Sequence, residues 1–309
     1  MNNKVLKVYK NRKIFFAVSI VLIIACVAAL FINGVNVDIQ FKGGAVIKYT
    51  YEGDLDNAAK NDIANLVNQA ISRLATVQTA DEGTDHAKLI LSLAGNDGLT
   101  SEEGAKILEA IVAAYPDNNF EESESNIVEP SIGERFLRNG IIAIVLAWIL
   151  IVIYVWFRFK QISGLSAGVM AVIALIHDCI MVFATFVIFR IPIGDIFVAV
   201  MLTIIGYSIN NTIVIYDRIR ENRSVAGKLT YDELVDLSIT QSMSRSLSTT
   251  FTTVVSIVII YVFAVMNGIQ SIENFALPMT VGMLSGFWSS NFIACNLWVM
   301  WQKHKHPGK

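Results

Sequence analysis

The fold is decided by the stretch Ile196–Asn222, whose sequence is IFVAVMLTIIGYSINNTIVIYDRIREN. An almost wholly apolar run, residues 196–205, leads to the paired asparagines Asn210 and Asn211, and the stretch ends in a charged cluster at residues 217–222. A bilayer interior does not accept such a cluster, so the apolar part predicts a membrane span and the cluster marks its end. Polar groups at membrane depth are costly and tend to be functional, which makes the asparagines the first candidate site residues.

The rest of the chain has the composition of a polytopic membrane protein. Of its 309 residues, 54% are hydrophobic and 16% are charged, whereas soluble globular chains carry about 25% charged residues. The apolar residues form six blocks, each long enough to cross a bilayer. These blocks are residues 14–33, 138–157, 164–189, 194–216, 246–266 and 275–300.

Charge predicts which way these spans run. Five basic residues among residues 1–13 precede the first block, and by the positive-inside rule they place the N-terminus in the cytoplasm. Residues 34–136 then lie outside the cell membrane, and residues 302–309 lie inside it. The segment between the fourth and fifth spans, residues 217–245, is predicted to be cytoplasmic and to contain an amphipathic helix that starts at a capping box formed by Thr230 and Glu233.

The outer segment, residues 34–136, has the pattern of a small α+β domain. Its alternating strand over residues 37–51 is broken at Gly43 and Gly44, which are therefore hinge candidates. Two helical patterns and three further extended segments follow, at residues 54–75, 76–79, 87–93, 100–115 and 119–128. The order βαββαβ predicts a ferredoxin-like domain between the first and second membrane helices. With 18 acidic and 7 basic residues, the segment repels phosphates, so we expect no nucleic-acid partner.

Two adjacent ionisable residues, His177 and Asp178, lie near the middle of the third span. An ionisable pair at that depth favours a functional role, and histidine titrates in the physiological pH range. The alternative is a satisfied pair that only fixes helix packing.

The asparagine pair in the fourth span leaves a similar choice open. Neutral amides do not carry protons by changing charge, but they exchange hydrogen bonds or ligate a cation. Asn210 shares a predicted helix face with Thr203, Tyr207 and Val214, and this mixed face is expected to point into the bundle. A hydrogen bond between helices is as good an interpretation as a direct transport role.

The fifth span begins with Arg245 and carries seven Ser or Thr residues between positions 246 and 256. Arg245, Thr249 and Ser256 fall on one helix face, which suggests a wet pathway or a polar interface. The alternative for Arg245 is a side chain that snorkels to the cytoplasmic boundary. The motif Asp217, Arg218, Arg220 and Glu221 is interpreted as an interfacial anchor.

Motifs for phosphate binding, zinc proteolysis, serine hydrolysis and kinase activity are not found in the sequence, so we expect no catalytic residues and no resident metal. Several other motifs occur in a recognisable order. They are Val37–Gly44 (VDIQFKGG), Glu129–Gly133 (EPSIG), Tyr154–Phe159 (YVWFRF), Ala174–Asp178 (ALIHD), the opening stretch, and Arg245–Thr250 (RSLSTT). Through this ordered series the chain closely resembles the SecF branch of the SecD/SecF family, within the resistance-nodulation-division superfamily, over nearly its whole length.

The resemblance implies a non-enzymatic auxiliary of the Sec protein-export machinery in the bacterial cytoplasmic membrane. Its implied partners are a homologous SecD subunit, the SecYEG channel, often YajC and YidC, the translocating preprotein and membrane lipid. Flow of H⁺ or Na⁺ through the membrane part, without any other cofactor, would drive movement of the outer domain. The alternatives are half of a small-molecule or lipid transporter of the same superfamily, or a structural assembly subunit.

One position departs from the family pattern. In many members the residue that matches Asn211 is acidic, and it is proposed to exchange protons opposite the arginine that matches Arg245. Three sources of coupling stay open here: a carboxylate of the partner subunit, the carboxylate of Asp178, or sodium ligation by an amide oxygen.

Overall fold

The structure, a computed structural model, describes residues 5–38, 44–53, 55–73, 75–80, 87–94, 99–128, 130–225, 229–267 and 269–306. Of the two predicted hinge residues, Gly44 is the first residue of a strand and Gly43 lies outside the described residues. The described part of the chain consists of a helical bundle and one small sheet with two helices.

The bundle is formed by long apolar helices. They are α1 (Arg12–Asn33), α4 (Pro130–Arg158), α5 (Gly164–Ile188), α6 (Asp195–Val225), α7 (Tyr231–Met266), α8 (Gln270–Trp288) and α9 (Cys295–Lys305). Within the described residues, five helices are long and apolar enough to cross a membrane. The predicted sixth block coincides with α8 and α9, which a π-helical segment, Ser289–Ala294, joins into one interrupted rod.

The segment predicted between the fourth and fifth spans is not a separate helix. Helix α6 continues nine residues past the predicted end at position 216, to Val225. Helix α7 then starts at the predicted capping box, in which Thr230 and Glu233 satisfy each other's backbone groups, and runs unbroken to Met266. Residues 231–266 contain neither glycine nor proline, so nothing in the sequence interrupts the helix at the bilayer boundary.

The outer segment folds as β1 (Gly44–Thr50), α2 (Asn57–Ile71), β2 (Ala75–Ala80), β3 (Lys88–Ala94), α3 (Ser101–Ala114) and β4 (Glu121–Val128). The four strands form one sheet in the order β2-β3-β1-β4, and every pair is antiparallel. The register shifts between Lys48 and Tyr49 against β4, while the predicted break at the paired glycines lies at the edge of the described residues and stays a prediction.

One face of this sheet forms the core of the outer segment. Alternate residues of the central strands, such as Ile47 on β1 and Leu91 on β3, are fully buried. They pack against Ile63 and Val67 of α2 and Ile107 of α3. Helix α3 begins one residue after its predicted start and α2 three residues after its own. Asp56 caps α2, and Thr100 forms a reciprocal capping box with Glu103 at α3.

The segment that leaves α1 contacts the loop between α5 and α6 before it reaches the sheet. Val37 forms a parallel bridge with Ile193. The N–H of Asp38 donates to the carbonyl of Ile193 at 3.0 Å, and the N–H of Ile193 donates to the carbonyl of Asn36 at 2.8 Å. The entry to the outer segment is therefore tied to the ends of two bundle helices.

Helix α8 packs closely on α6 through small residues. A Cβ atom added to Gly282 would lie 2.6 Å from a side-chain carbon of Ile204, and one added to Gly286 would lie 3.0 Å from the Cβ of Ser208. Small residues four positions apart let two helix backbones approach in a membrane. This close approach brings polar side chains of the two helices together.

Charged residues cluster at one end of the bundle, where several helices begin or end. Asp217 of α6 pairs with Arg158 of α4 at 3.1 Å and with Arg220 at 2.9 Å. Lys303 of α9 pairs with Asp232 of α7 at 2.9 Å. The ends of α4, α6 and α9 and the start of α7 therefore share one charged rim.

Candidate functional site

The centre of the bundle contains a carboxylate surrounded by serine hydroxyls. Asp178, on α5, is 1% exposed. Ser208 and Ser289 donate hydrogen bonds of 2.6 and 2.7 Å to its Oδ2 atom. Ser285 donates a hydrogen bond of 2.6 Å to Oδ1. We call these four residues the Asp178 cluster.

Two helices and the interrupted rod supply the cluster. Asp178 comes from α5 and Ser208 from α6, while the rod supplies Ser285 from α8 and Ser289 from the start of its π-helical segment. Ser285 and Ser289 are four residues apart, so they lie on one face of the rod and reach the same carboxylate. π-Helical turns inside helices are rare and occur often at functional sites.

A second layer of hydrogen bonds joins the same elements. Ser290 donates to the carbonyl oxygen of Ser208 at 3.1 Å. Thr212 donates to the hydroxyl of Ser290 at 2.9 Å. All of these hydroxyls are buried, so each bond forms where water does not compete for it.

His177 lies beside the carboxylate. Its Nδ1 atom is 3.3 Å from Asp178 Oδ1 and 3.4 Å from the Ser285 hydroxyl oxygen. Its Nε2 atom is buried and makes no hydrogen bond to any residue that the structure describes. The sequence-predicted pair is thus packed inside the bundle, with one ring nitrogen still able to form a hydrogen bond.

An ionised carboxylate only accepts hydrogen bonds, and three hydroxyl donors match that state. The carboxylate also suits a small hard cation, since carboxylate oxygens are among the preferred ligands of such ions. The Asp178 cluster is therefore chemically able to hold a proton or a monovalent cation. In the part of the chain that the structure covers, no group of three His, Cys, Asp or Glu side chains could hold a metal ion.

Asn210 and Asn211 are adjacent in the sequence but lie on different faces of α6. Asn211 is 3% exposed, and its Nδ2 atom has no partner among the described residues. Asn210 is exposed, as is Thr203. The face expected to point inward was therefore wrong at these two positions: the inward face of α6 is carried by Ser208, Asn211 and Thr212. Both faces of α6 carry mostly apolar residues, so the hydrophobic pattern does not determine which face points into the bundle.

Arg245 is exposed on α7 and makes no ion pair with the residues described. Thr249 is half-buried, and Thr252 and Ser256 are exposed. Their hydroxyls are satisfied by carbonyls of their own helix, Thr252 by Ser248 at 3.0 Å and Ser256 by Thr252 at 2.9 Å. The predicted polar face of α7 exists and points outward in the isolated chain, away from the Asp178 cluster.

Two hydroxyls of this helix, those of Thr250 and Thr253, contact Tyr207 of α6. Thr250 is buried and accepts a hydrogen bond of 2.8 Å from the Tyr207 hydroxyl. Ser246 is also buried, and its hydroxyl has no partner within the described ranges. The hydroxyl-rich stretch therefore serves two faces, one toward α6 and one outward.

The charged motif at the end of α6 connects that helix to α7. Arg218 contacts Glu221 and also donates a 2.7 Å hydrogen bond to Gln241 of α7. Asn222 donates to Ser238 and Gln241. Arg220 and Asp217 belong to the charged rim described above. This geometry is that of an anchor between helices.

Sequence reasoning did not identify Ser208, Ser285 and Ser289. They lie 30, 107 and 111 residues from Asp178 in the chain, so no local spacing relates them to it. The sequence did show these hydroxyl residues inside apolar blocks, but many such residues only pack one membrane helix against another.

The chain matches a known family over most of its length. Residues 107–304 match the family described as protein export membrane protein SecD/SecF, C-terminal. The chain is 33% identical over 291 residues to the protein translocase subunit SecF of Alicyclobacillus acidocaldarius, with 93% of this chain and 90% of that protein covered. It is 35% identical over 289 residues to the protein translocase subunit SecDF of Brucella abortus, with 90% of this chain and 35% of that protein covered.

Solved structures show the same likeness. The crystal structure of SecDF from Thermus thermophilus, described as a translocon-associated membrane protein, superposes with a TM-score of 0.77 at 28% identity. The match covers 96% of this chain and 38% of that one. The chain thus spans nearly all of its separate SecF relative and little more than a third of the fused SecDF proteins.

Proposed function

This chain belongs to the SecD/SecF family of protein export membrane proteins, and from that membership we propose that it is a SecF-type subunit that promotes preprotein export across the bacterial cytoplasmic membrane. The observation that carries the proposal is the 33% identity over 90% of a protein named as translocase subunit SecF. Such coverage includes both the bundle and the outer segment. We assign the subunit a non-enzymatic role, as for the relatives named as translocase subunits.

The proposed architecture has six membrane crossings and a ferredoxin-like outer domain. The interrupted rod of α8 and α9 provides the sixth crossing, in addition to the five long apolar helices. The sheet order β2-β3-β1-β4 with helices after β1 and β3 supports the ferredoxin-like assignment. The basic residues of the charged rim favour cytoplasmic placement of that end, and hence of both termini.

A homologous SecD subunit is the partner that we propose for the outward polar face of α7. Arg245, Thr252 and Ser256 are exposed there, and Asn210 of α6 is exposed as well. Polar side chains at membrane depth usually face protein or a water-filled cavity. Fusion of the two subunits in the SecDF relatives supports the pairing. The SecYEG channel, YajC, YidC and the preprotein belong to the same proposal, on the basis of the family resemblance.

For the mechanism we propose that H⁺ or Na⁺ binds at the Asp178 cluster and changes the packing of α5, α6 and α8. Neutralising the carboxylate weakens the serine bonds that join these helices, because hydrogen bonds to a charged acceptor are about twice as strong as neutral ones. The loop between α5 and α6 carries Ile193, which is bonded to Asn36 and Asp38 at the entry to the outer domain. A shift in the bundle therefore reaches, through these hydrogen bonds, the segment of chain that leads to the sheet.

Preprotein export into membrane vesicles tests this proposal. Vesicles that contain the chain and its SecD partner are supplied with ATP, and the proton and sodium gradients are collapsed separately. We expect export to be stimulated by the chain, and we expect this stimulation to disappear with one of the two gradients. Export that is unchanged when the chain is omitted would contradict the assigned function, whereas stimulation that survives both treatments would contradict only ion coupling.

A further inference from the structure

A groove on the surface of the bundle is lined by residues that belong neither to the Asp178 cluster nor to the proposed export mechanism. It has a volume of about 480 Å³ and lies between the end of α4, the start of α5 and the end of α9. Its walls include Trp156, Lys160, Leu165, Val169, Trp301 and Lys305. We call it the α4–α9 groove.

The apolar part of the groove is exposed in a way that suits lipid. Trp156 and Trp301 are 46% and 49% exposed, and Leu165 and Val169 are exposed to a similar degree. Leu165 and Val169 are four residues apart at the start of α5, so they form one apolar strip that runs from the helix end toward the bilayer. Tryptophan side chains are enriched at the boundary between the headgroups and the acyl chains.

The other part of the groove is cationic. Lys160 stands in the short connection between α4 and α5, and Lys305 is in the last turn of α9. No acidic residue lines the described walls of the groove. The carboxylates of the neighbouring rim are engaged elsewhere, Asp217 with two arginines and Asp232 with Lys303. The two lysines thus make a local positive site beside an apolar strip.

We propose that the α4–α9 groove binds an acidic phospholipid, with its phosphate between Lys160 and Lys305 and one acyl chain along Leu165 and Val169. The charge of the two lysines and the absence of carboxylates in the described walls select an anionic headgroup over a zwitterionic one. The two tryptophans flank the glycerol region at the depth where such rings are stable. The proposal rests on the chain spanning a membrane and not on its export role.

The site also has a place in the packing of the bundle. Gln302, which is 1% exposed, donates a hydrogen bond of 3.0 Å to the Ser166 hydroxyl in the wall of the groove. Trp298 donates to the carbonyl of Ile162 at 3.2 Å. A lipid that bridges Lys160 and Lys305 would therefore hold α9 to the α4–α5 connection, which the Trp298 bond already joins, beside the start of α5, which Gln302 contacts.

The test is native mass spectrometry of the full chain with phosphatidylglycerol and phosphatidylcholine offered in equal amounts. We expect the wild-type chain to retain phosphatidylglycerol selectively. In the Lys160→Gln/Lys305→Gln variant the selectivity should fall by about twenty-fivefold, since each lysine near an anionic lipid surface contributes on the order of a fivefold factor. Lys160→Arg/Lys305→Arg should retain most of it.

The matched control is Lys10→Gln/Lys13→Gln, which removes the same charge from two exposed positions, one just before α1 and one in its first turn. This control should leave the selectivity unchanged. An equal loss in the control would show that the selectivity comes from general surface charge, and it would overturn the proposed lipid site. Equal binding of the two lipids by the wild-type chain would also overturn it, as would full displacement of the lipid by inorganic phosphate at millimolar concentration. A cooperative thermal transition in each variant, near that of the wild type, shows that the measured loss is not unfolding.

Discussion

The hydroxyl of Ser208 donates a 2.6 Å hydrogen bond to the carboxylate of Asp178, and this bond joins α6 to α5 at the centre of the bundle. A bond this short between a hydroxyl and a carboxylate is typical of a charge-assisted interaction. Ser285 and Ser289 complete the shell from a third helical element. The state of one carboxyl group therefore affects the contacts of three helices at once.

The first prediction concerns Asp178→Asn. The amide keeps the size of the side chain, but it removes the charge and replaces one acceptor oxygen with a donor, so one serine hydroxyl is left without its acceptor. We expect the protein to remain in the membrane with a stability lower by about 1–3 kcal/mol. Its export activity in vesicles should fall to the level that the wild type shows when the coupling gradient is collapsed.

The decisive readout for Asp178→Asn is gradient dependence. Residual export in this variant should no longer respond to dissipating the proton or sodium gradient, whereas a purely structural defect would lower export and leave the response intact. Asp195→Asn is the control, because Asp195 is a carboxylate in the first turn of α6 outside the cluster. An Asp178→Asn variant that still responds to the gradient as the wild type does would refute ion binding at the cluster.

A second prediction compares two glycines. A Cβ atom on Gly164 would lie 2.5 Å from the carbonyl oxygen of Trp156 and 2.9 Å from that of Val155, whereas one on Gly206 would meet nothing within 4 Å. Backbone atoms cannot move aside as a flexible side chain does, so Gly164→Ala should cost about 1–3 kcal/mol. Gly206→Ala should be neutral or stabilise by up to about 1 kcal/mol.

Thermal unfolding of the two glycine variants in detergent provides the measurement. The midpoint for Gly164→Ala should be lower than that of the wild type, and the midpoint for Gly206→Ala should not. Equal midpoints for both variants would mean that α4 and α5 are less closely packed at this connection than the structure shows.

Several of these features were accessible from sequence and others were not. The apolar blocks predicted the long helices, and the capping box at Thr230 marked the start of α7, because caps and hydrophobic runs are local signals. The uninterrupted length of α7 was missed, since composition changes at the bilayer boundary while the helix does not. A local sequence pattern therefore predicts where a helix begins better than whether that helix continues from a cytoplasmic segment into a membrane span.

The Asp178 cluster shows how far a site can be predicted from the sequence. Asp178 itself stood out as an ionisable residue inside an apolar block, but its three serine partners depend on how α5, α6 and α8 pack. The rotation of α6 could not be read either, because both of its faces are largely apolar. Only the packed structure separates the buried Asn211 from the exposed Asn210.

The third prediction concerns pH and the outer domain. The backbone N–H of Thr100 and, less strongly, its hydroxyl and Arg73 hold the pKa of Glu103 below its ordinary value of 4.5. A carboxyl group with a lowered folded-state pKa stabilises the fold above its unfolded pKa, and this contribution is lost as the pH falls through the folded pKa. We expect amide hydrogen exchange in α3 of the full chain to accelerate below about pH 4.5 relative to intrinsic rates.

Thr100→Ala removes the hydroxyl acceptor of the capping box and should cost about 1 kcal/mol at neutral pH. Part of the acid-dependent loss in α3 should disappear with it, because the Thr100 hydroxyl is one of the groups that lower the Glu103 pKa. Glu109→Gln, on the exposed side of the same helix, is the control and should leave the profile unchanged. Unaltered protection of α3 in Thr100→Ala would show that the cap does not stabilise the helix.

A fourth prediction is that the charged rim contributes little to stability. Arg158 and Asp217 are each 39% exposed in the side chain, and exposed ion pairs are worth about 0–1 kcal/mol. Asp217 also retains Arg220 at 2.9 Å when Arg158 is removed. Arg158→Gln should therefore change the free energy of unfolding by less than about 0.5 kcal/mol, measured by denaturant titration in detergent, and a loss above 2 kcal/mol would identify the pair as structural.

The last prediction tests the partner surface on α7. Thr252 and Ser256 lie on its exposed polar face, and Phe251 and Val258 lie on an exposed apolar face of the same helix. A polar face at membrane depth needs a protein or aqueous neighbour, whereas an apolar face is stable against lipid. With the three native cysteines replaced, Thr252→Cys and Ser256→Cys should form crosslinks to a co-expressed SecD subunit that carries cysteines along its homologous helix. Phe251→Cys and Val258→Cys should not, because their face is directed to the bilayer. Crosslinking from the apolar positions alone would reverse the assignment of the two faces and would leave Arg245 outside the subunit interface.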